Sequence, residues 1–470
     1  MAQEPQAGPA AARTQESLGR VHFIGVGGVG MSAVARIMVA RGLPVSGSDA
    51  KDLPVMAELA AAGARIAVGY DAANLADAQT VVAGSAIRPD NPELAAARAA
   101  GLPVLHRSEA LAAAMAQDTA VTVAGTHGKS TTTSMITVLL QGAGMDPSFA
   151  IGANVPALGV NAASGTSPVF VAEADESDAS FLNYRPQIAV VTNVEPDHLD
   201  HYGTAEAVYA SFDLFTELLP ADGLLVACAD DDGARALAQR TRERGNTRVV
   251  LYGTAADADV TLHDGGPGQV WIGTPAGRFA VDLQVPGRHN ALNAAAAFAV
   301  ALELGVAPEA AAAALGRFTG AARRFEFKGE GCGVRVYDDY AHHPTEVRAA
   351  LAAARSVAGH HRVHVLFQPH LFSRTREFAQ EFAEALNTAD TALVLDIYPA
   401  REDPIPGVTS QLIADHLGPH GRLVGPGADA VQAVLAAAAA GDIVLTAGAG
   451  DVTAYGPLLV EALTAGIPGA

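Results

Sequence analysis

The glycine-containing segment GTHGKSTTT constrains the fold of this chain more than any other stretch. It follows an apolar run, Thr119–Ala124, which predicts a buried strand, and it precedes a segment of helical character. Gly125 and Gly128 let backbone N–H groups approach a phosphate, and the start of a helix favours negative charge. Strand, glycine turn and helix start together predict a site for a nucleoside triphosphate.

Lys129 and Ser130 stand where a phosphate loop places a lysine for the outer phosphates and a hydroxyl for Mg²⁺. Val123 occupies the position of the first glycine of the common eight-residue pattern, so the loop is a shortened form. A chance GKS in a glycine-rich turn is the alternative, but the flanking strand and helix argue against it. The predicted ATP-binding residues of the loop are Gly125, Thr126, His127, Gly128, Lys129, Ser130 and Thr131.

The composition restricts the class of protein. A length of 470 residues predicts about three domains. The formal charge of −20 and the lack of a basic stripe disfavour nucleic acid and anionic membranes as partners. No segment approaches the roughly 20 apolar residues of a membrane span. Two cysteines far apart, Cys228 and Cys332, favour a reducing, cytoplasmic setting.

Two kinds of low-complexity sequence are interpreted differently. Residues 1–19, rich in Ala, Gln, Glu and Pro, predict a solvated, disordered tail. The runs Ala310–Ala314 and Ala436–Ala440 predict close-packed helices, because alanine is the best helix former.

A second glycine motif, GVGGVG, follows the apolar strand Val21–Ile24 and precedes an apolar helix from Met31 to Ala40. Asp49 ends the next strand, about twenty residues on, as in the dinucleotide fingerprint of a Rossmann unit. The motif suits NAD, any other nucleotide diphosphate, or a glycine turn needed only for packing. Ser85 follows another apolar strand, Thr80–Ala83, and is expected near the same crevice.

Acidic and histidine residues follow two later strands. Glu173 follows Pro168–Ala172, where a Mg²⁺ ligand beside a phosphate loop is expected. Asp175 and Asp178 are interpreted as an ordinary exposed acidic turn. His198 lies in a polar turn after another strand, where a metal or phosphate role competes with simple packing.

The remaining polar clusters lie near one helix and after the strands of a third α/β region. His289, Asn290 and Asn293 precede or begin an alanine-rich helix, where the asparagines suit a purine edge and Asn290 alternatively caps the helix. Polar clusters at 338–346, 368–375, 396–402 and 448–451 follow successive predicted strands. Such clusters gather at one edge of a parallel sheet, so they predict a further binding site.

With these residues in hand, the chain resembles the Mur ligases, the ATP-dependent amide-forming enzymes of peptidoglycan assembly, over nearly all of residues 20–460. Within that family it is similar to the alanine-adding type. The segments that carry the resemblance occur in the family's order: GVGGVGMS, GTHGKSTTT, EADESDASF, DHLDHYG, GRHNALN, ARRFE, DDYAHHPTE and PHLFSRT.

The resemblance implies a three-domain α/β fold. Its parts are a Rossmann-like UDP-sugar domain over 20–117, a central P-loop ATPase-like domain binding ATP and Mg²⁺ (or Mn²⁺) over 118–320, and a C-terminal Rossmann-like amino-acid domain over 321–470. UDP-N-acetylmuramate and L-alanine are the implied substrates, joined through an acyl phosphate. A monomer or a homodimer is expected.

The resemblance also implies roles for individual residues. The implied catalytic residues are Lys129, Glu173, His198, Arg324, His342 and Arg374. His289, Asn290, Asn293 and Arg324 join the loop residues at ATP, and Ser130, Glu173 and His198 hold the metal. The implied substrate-binding residues are Gly27, Gly28, Val29, Gly30, Asp49, Ser85, Tyr340, His370 and Arg374.

Two departures from the family pattern bear on function. There is no lysine between Lys129 and Lys328, so the carbamylated lysine of several Mur ligases has no counterpart, as in the alanine-adding type. Leu371 stands where many relatives have arginine, which removes one expected carboxylate contact. A recycling ligase that adds a tripeptide, a nicotinamide dehydrogenase and a non-catalytic nucleotide switch remain the competing hypotheses.

Overall fold

The computed structural model describes residues 13–266, 268–400 and 402–466, with the side chain of Asp200 left undescribed. The chain divides into two compact units. The first runs to residue 265 and adds 269–282 and 293–317, and the second contains the remaining described residues. The first unit contains two β-sheets and the second contains one.

The first sheet is fully parallel, with strand order β3-β2-β1-β4-β5. The order reverses direction between β1 and β4, which is where doubly wound sheets bind ligands at the carboxyl ends of their strands. Its elements are β1 (Val21–Ile24), α1 (Val29–Ala40), β2 (Val45–Asp49), α2 (Pro54–Ala61), β3 (Arg65–Val68), β4 (Thr80–Ala83), α3 (Pro92–Ala99), β5 (Val104–His106) and α4 (Arg107–Met115).

The second sheet has ten strands in the order β15-β14-β13-β12-β11-β10-β6-β9-β7-β8. Its centre is parallel, and β13–β15 and the β7–β8 pair add antiparallel edges. The strands are β6 (Thr119–Ala124), β7 (Ser148–Ala150), β8 (Ala162–Ala163), β9 (Val169–Glu173), β10 (Ile188–Val191), β11 (Leu224–Cys228), β12 (Arg248–Gly253), β13 (Val260–Asp264), β14 (Gln269–Thr274) and β15 (Gly277–Asp282). The helices are α5 (Lys129–Gly142), α6 (Leu199–Tyr202), α7 (Ala205–Glu217), α8 (Asp232–Arg244), α9 (Arg288–Glu303) and α10 (Pro308–Leu315).

The third sheet has the order β16-β17-β21-β18-β19-β20 and is parallel except for the β16–β17 hairpin. Its strands are β16 (Glu326–Gly331), β17 (Val334–Asp339), β18 (Val363–Phe367), β19 (Thr391–Val394), β20 (Gly421–Leu423) and β21 (Ile443–Ala447). Its helices are α11 (Pro344–Ala358), α12 (Phe372–Glu377), α13 (Ala379–Leu386), α14 (Gln411–Ala414), α15 (Ala428–Ala437) and α16 (Tyr455–Thr464).

Apolar side chains cover both faces of the third sheet. Successive residues of a strand point to opposite faces, so Val365 and Phe367 join one buried cluster with Leu351 and Phe382, while Leu366 joins another with Leu459. Strands buried on both faces explain the continuous apolar runs in the sequence, and they leave the strand ends as the places for polar residues.

The predicted fold class is confirmed, and two local predictions need correction. Residues 1–12 of the predicted tail lie outside the described residues, but Gln15–Leu18 form a 3₁₀ turn whose Leu18 is buried, and Thr80 Oγ1 donates to its carbonyl at 2.8 Å. The helix predicted over Ala436–Ala440 ends at Ala437, where Ala438 turns extended. Within the described residues, no helix is long and apolar enough to cross a membrane.

Candidate active site

The first glycine turn of the sequence closes tightly on the end of β2. The N–H of Gly27 donates to Asp49 Oδ2 at 3.0 Å, and a Cβ at Gly27 would lie 2.5 Å from Leu53 Cδ1. Gly25 has a φ of 80° and donates to the Ser48 carbonyl at 2.8 Å. Asp49 therefore holds the turn by a side-chain hydrogen bond, and a side chain at position 27 would displace Leu53 and Asp49.

An arginine that the sequence analysis did not predict lies at the start of α1. A Cβ on Gly30 would be 2.2 Å from Arg107 Nη1, so the guanidinium lies directly against this turn. The exposed side chain of Val29 and the bare backbone of Gly28, the N-cap, lie beside it. Arg107 follows β5 immediately, and its place after a parallel strand was the one available signal in the sequence.

The acidic turn after β9 makes specific contacts with the first sheet. Ser85 Oγ lies 3.1 Å from His106 Nε2 and donates to Asp178 Oδ2 at 3.2 Å, and Arg107 lies 3.9 Å from Asp175. Asp175 and Asp178, expected to form an ordinary exposed acidic turn, are partly exposed and also contact the residues that follow β4 and β5. Ser85 lies at the predicted strand edge.

The phosphate loop holds its lysine by three acceptors. Lys129 Nζ donates to the carbonyls of Gly125 and Thr126 at 2.8 and 3.2 Å, and to Glu176 Oε1 at 2.8 Å. Burial lowers the pKa of Lys129, but the carboxylates of Glu176, Asp175 and Glu173 outweigh it, so the pKa is raised. The lysine is thus a fixed positive charge.

Both glycines of the loop have positive φ angles and close neighbours, and both features disfavour a side chain. Gly125 has a φ of 136°, and a Cβ there would lie 2.0 Å from Thr192 Oγ1. Gly128 caps α5 with a φ of 82°, and its Cβ would lie 3.1 Å from Asn293 Oδ1. Asn293, predicted to serve the nucleotide, therefore borders the loop.

Residues after β10 brace the loop from the other side. The N–H of His127 donates to Asn193 Oδ1 at 2.7 Å. Thr126 Oγ1 accepts the N–H of Glu195 at 2.9 Å. Thr131 is buried in the first turn of α5. The loop is therefore preorganised by backbone and side-chain bonds before any ligand enters.

Two of the predicted metal ligands contact each other. Ser130 Oγ donates to Glu173 Oε1 at 3.1 Å, while Glu173 Oε2 accepts the N–H of Gly152 at 2.8 Å. His198, with a φ of 55°, has Nε2 3.7 Å from Glu176 Oε1 and 3.6 Å from Asp197. The structure thus connects His198 to Lys129 through Glu176.

Glu176 is the functional candidate that sequence reasoning missed most completely. Its side chain is 2% exposed, and Oε2 has no hydrogen-bond partner among the described residues. Burial raises its pKa to about 7, against the charge of Lys129, which lowers it. Its neighbours Asp175 and Asp178 gave no reason to single it out in the sequence.

In the second unit, Arg324 lies over an aromatic ring. Its guanidinium carbon is 5.2 Å from the centroid of Tyr340, and Nη1 is 3.9 Å from Glu346 Oε1. Glu346 also accepts the N–H of His342 at 2.9 Å. Burial raises the pKa of nearby Asp339 to about 7, although Arg324 lowers it.

Aromatic contacts link the predicted substrate residues of this unit. The ring of His342 lies 5.2 Å from Tyr340 and 5.9 Å from His370, and His370 stacks on Tyr398 at 5.8 Å. Arg374 is buried in α12, one residue after Ser373, whose N–H donates to Glu402 at 3.0 Å. The structure thus brings together residues from three of the polar clusters.

His289 and Asn290 also lie in the second unit. Burial and the charge of Arg324 lower the pKa of His289 to about 4, so its imidazole is neutral at pH 7. Helix α9 begins at Arg288, so Asn290 lies inside it and does not cap it. Its Nδ2 donates to the Pro286 carbonyl at 2.6 Å, which corrects the capping alternative.

Comparison with known proteins identifies the family. Family models match in succession: the Mur ligase family catalytic domain over residues 20–119, the Mur ligase middle domain over 123–301 and the Mur ligase glutamate ligase domain over 323–450. The chain belongs to the Mur ligase family.

Individual relatives refine this placement within the Mur ligases. The chain is 83% identical over 459 residues to a UDP-N-acetylmuramate–L-alanine ligase of Arthrobacter sp. (strain FB24), with 98% of each chain covered. It resembles the solved UDP-N-acetylmuramate–alanine ligase MurC of Thermotoga maritima with a TM-score of 0.75 and 29% identity, over 95% of this chain and 99% of that one. A murein peptide ligase of Psychrobacter arcticus gives a TM-score of 0.68 and 25% identity, over 95% and 98%.

These matches bear on the competing functional hypotheses for this chain. The GVGGVG segment lies within the Mur ligase catalytic-domain model, which disfavours the dehydrogenase hypothesis. The high-identity relative is an alanine ligase, which favours this Mur ligase as alanine-adding over the recycling type. Leu371, the departure from the family pattern, has a φ of 72° and donates its N–H to the Tyr398 carbonyl at 3.0 Å.

Proposed function

We propose that this Mur ligase joins L-alanine to the lactyl carboxylate of UDP-N-acetylmuramate, while ATP is converted to ADP and phosphate. The product is UDP-N-acetylmuramoyl-L-alanine. The observation that carries the proposal is the 83% identity to a UDP-N-acetylmuramate–L-alanine ligase over 98% of both chains. The preorganised phosphate loop with its charged Lys129 is what such chemistry requires.

The domains divide the work in this proposal. Residues 20–117 hold the UDP part through the glycine turn, Asp49 and Ser85, and residues 118–320 hold ATP. Residues 321–470 supply Arg324 and the acceptor side, with Tyr340, His342, His370 and Arg374. The position of Arg107 against Gly30 supports an additional contact with the diphosphate.

The chemical problem is a poor leaving group. A carboxylate oxygen does not depart at neutral pH, so the carboxylate first attacks the γ-phosphorus of ATP, and ADP leaves. The α-amine of L-alanine then attacks the acyl phosphate, phosphate leaves and the amine loses a proton. Lys129 and Arg324 stabilise the negative charge that develops on the phosphoryl oxygens, and the fixed loop aligns the transfer.

Mg²⁺ fits the donor set on the first unit. The hydroxyl oxygen of Ser130 lies 3.1 Å from Glu173 Oε1. Hydroxyl and carboxylate oxygens are the ligands that Mg²⁺ prefers. Ser130 and Glu173 would hold the ion, which would neutralise phosphate charge when bound, and His198, whose Nε2 lies near Glu176 and Asp197, stays a predicted ligand.

ADP release by the purified protein with Mg-ATP and UDP-N-acetylmuramate tests the proposal. The acceptors compared are none, L-alanine, glycine, L-serine and the tripeptide, with the mass of the sugar nucleotide measured in parallel. Release that depends on L-alanine, with the matching mass gain, is expected. Dependence on the tripeptide alone would make the protein a recycling ligase, and no release with any acceptor would refute ligase activity.

The substrates indicate the cellular location of this enzyme. We propose a cytoplasmic enzyme, since UDP-sugars and ATP are cytoplasmic metabolites and both cysteines, Cys228 and Cys332, are free. A monomer or a homodimer is expected, and light scattering at several concentrations distinguishes them.

A further inference from the structure

The backbone around Arg324 is held in an unusual conformation. Arg323 and Phe325, which flank it, have φ values of 58° and 49°, although neither is glycine. Side chains rarely adopt this left-handed region, and they keep it only where surrounding contacts impose it. The direction in which Arg324 points therefore depends on what holds its two neighbours.

The guanidinium group of Arg323 makes several contacts within the second unit. Its Nε donates to Asp338 Oδ2 at 3.3 Å, and Nη2 donates to the carbonyls of Gly448 and Gly450 at 2.6 and 3.2 Å. Its guanidinium carbon lies 4.7 Å from the ring centroid of Tyr340, and the guanidinium of Arg324 lies over the same ring. The planar guanidinium of Arg323 thus joins residue 323 to the ends of β17 and β21.

The loop at 448–450, which accepts the hydrogen bonds of Arg323, packs against residues that contact the proposed acceptor side. A Cβ on Gly450 would lie 2.4 Å from Gln368 Oε1 and 2.6 Å from Tyr398 Cγ. Tyr398 in turn stacks on His370. A continuous set of contacts therefore runs from Arg324, through Arg323 and the loop at 448–450, to His370.

We propose that Arg323 is a positioning residue: it fixes the orientation of Arg324, the arginine proposed to stabilise the phosphoryl charge, and it holds the loop at 448–450 against Tyr398 and Gln368. The inference rests on the proposed function, because it concerns the same reaction. The segment ARRFE contains both arginines, and the resemblance implies a role only for Arg324. Its role follows from the strained backbone and from the contacts of its guanidinium.

Arg323→Lys tests the proposal while keeping the charge. A lysine ammonium is a single point and cannot span Asp338 and the carbonyls of the loop as the planar fork does. We expect kcat to fall at least tenfold and KM for L-alanine to rise severalfold. KM for UDP-N-acetylmuramate should stay within twofold, because the residues proposed to bind it lie in the first unit.

Two matched variants separate positioning from loss of structure. Arg355→Lys changes an arginine of the same unit that pairs with Asp390 at 2.6 Å, and Thr453→Val removes the other donor to Asp338 Oδ2. Both should leave kcat within twofold of wild type, whatever they do to the melting temperature. Kinetic constants of Arg323→Lys within twofold of wild type, or a loss of kcat matched by either control, would overturn the inference.

Gly450→Ala provides a second variant, changed in the loop itself. Its Cβ would meet Gln368 Oε1 and Tyr398 Cγ and push the loop away from them, which also moves the Gly450 carbonyl that accepts from Arg323. We expect KM for L-alanine to rise severalfold, and an unchanged value would refute the link to the acceptor side. L-alanine-dependent ADP release by the wild type is measured first, so its absence refutes the proposed function, whereas its presence with unaffected variants refutes only this inference.

Discussion

At the scale of single residues, Lys129 is held in place in the phosphate loop by hydrogen bonds within the protein. With three acceptors within 3.2 Å, its ammonium uses all of its hydrogen bonds inside the protein. Phosphate oxygens therefore have to replace Glu176 or a loop carbonyl when ATP binds. The side chain is 15% exposed, so the exchange takes place where water screens the charges little.

Replacing Lys129 by alanine removes this charge from the loop. We expect kcat/KM to fall by at least about 100-fold, corresponding to roughly 3 kcal/mol of transition-state stabilisation. Steady-state ADP release measures the change. Lys328→Ala is the matched control, since Lys328 pairs with Glu326 in the second unit, and it should stay near wild type. Near-normal turnover of Lys129→Ala would contradict the phosphate-loop assignment.

Asp442 supports the third sheet at the amino ends of its strands. Its carboxylate accepts the N–H groups of Arg362 and Ala439 at 3.0 and 2.9 Å and contacts His364 Nε2 at 3.0 Å. Burial raises the pKa of Asp442, but these bonds outweigh it and lower the pKa below 3.8. Its stabilisation is therefore present above the ordinary pKa and is lost as pH falls through the folded value.

Asp442→Asn tests this contribution. We expect the free energy of unfolding to drop by about 2 kcal/mol at pH 7, because bonds to a charged acceptor are lost. The difference from wild type should stay constant down to about pH 5 and shrink below pH 4. Urea unfolding at several pH values measures it, with the exposed Asp415→Asn as control. A difference that grows on acidification would show that the sign is wrong.

At the scale of elements, the strand–turn–helix unit of β6, the loop and α5 depends on two left-handed glycines for different reasons. Gly128, at the start of α5, has a φ of 82° and borders Asn293. Gly144, just beyond the end of the same helix, has a φ of 86° and open space around it. The two positions share a positive φ, which strains any other residue, but differ in their neighbours.

This pair gives a matched test of the loop. Alanine at either position should cost about 1 kcal/mol of stability through backbone strain. Only Gly128→Ala should weaken ATP binding, by at least about tenfold, because only its Cβ displaces Asn293 and reshapes the phosphate turn. Calorimetric titration with ATP measures the affinity. Equal affinities of the two variants would show that Asn293 and the turn do not contribute to the nucleotide site.

At the scale of the whole molecule, the proposed ligands divide between the compact units. The glycine turn, Ser85 and the phosphate loop all lie in the first unit, whereas Arg324 and the acceptor residues lie in the second. A ligand stabilises the part of a protein that it binds in the native state, by about 2.7 kcal/mol at one hundred times its Kd.

Ligand-dependent calorimetry of the full chain tests this division. UDP-N-acetylmuramate alone should raise the unfolding temperature of the first unit, because the residues proposed to bind it belong to that unit. Arg324→Ala should leave this shift unchanged, whereas Asp49→Ala should reduce it. A shift that disappears in Arg324→Ala and persists in Asp49→Ala would place the UDP-sugar on the second unit instead.

The local sequence pattern determined many of the strands and turns of this protein. Apolar runs predicted the bounds of β1, β4 and β6 to the residue, because a strand buried on both faces requires an uninterrupted apolar segment. Glycine motifs located the turns, since positive φ and close approach are properties of a single residue. The pattern of polar residues after parallel strands predicted strand-end positions for Ser85, Glu173 and Tyr340, and Glu173 proves to be the last residue of β9 rather than the residue after it.

The tertiary structure alone decided which of these residues touch. Glu176 meets Lys129 across 47 positions, and Arg323 meets the loop at 448–450 across more than 120. No periodicity or spacing records a contact between segments so far apart in the chain. The pKa of Glu176, the grip of Arg323 and the place of Arg107 depend on burial and distance, which arise only when separate elements pack together.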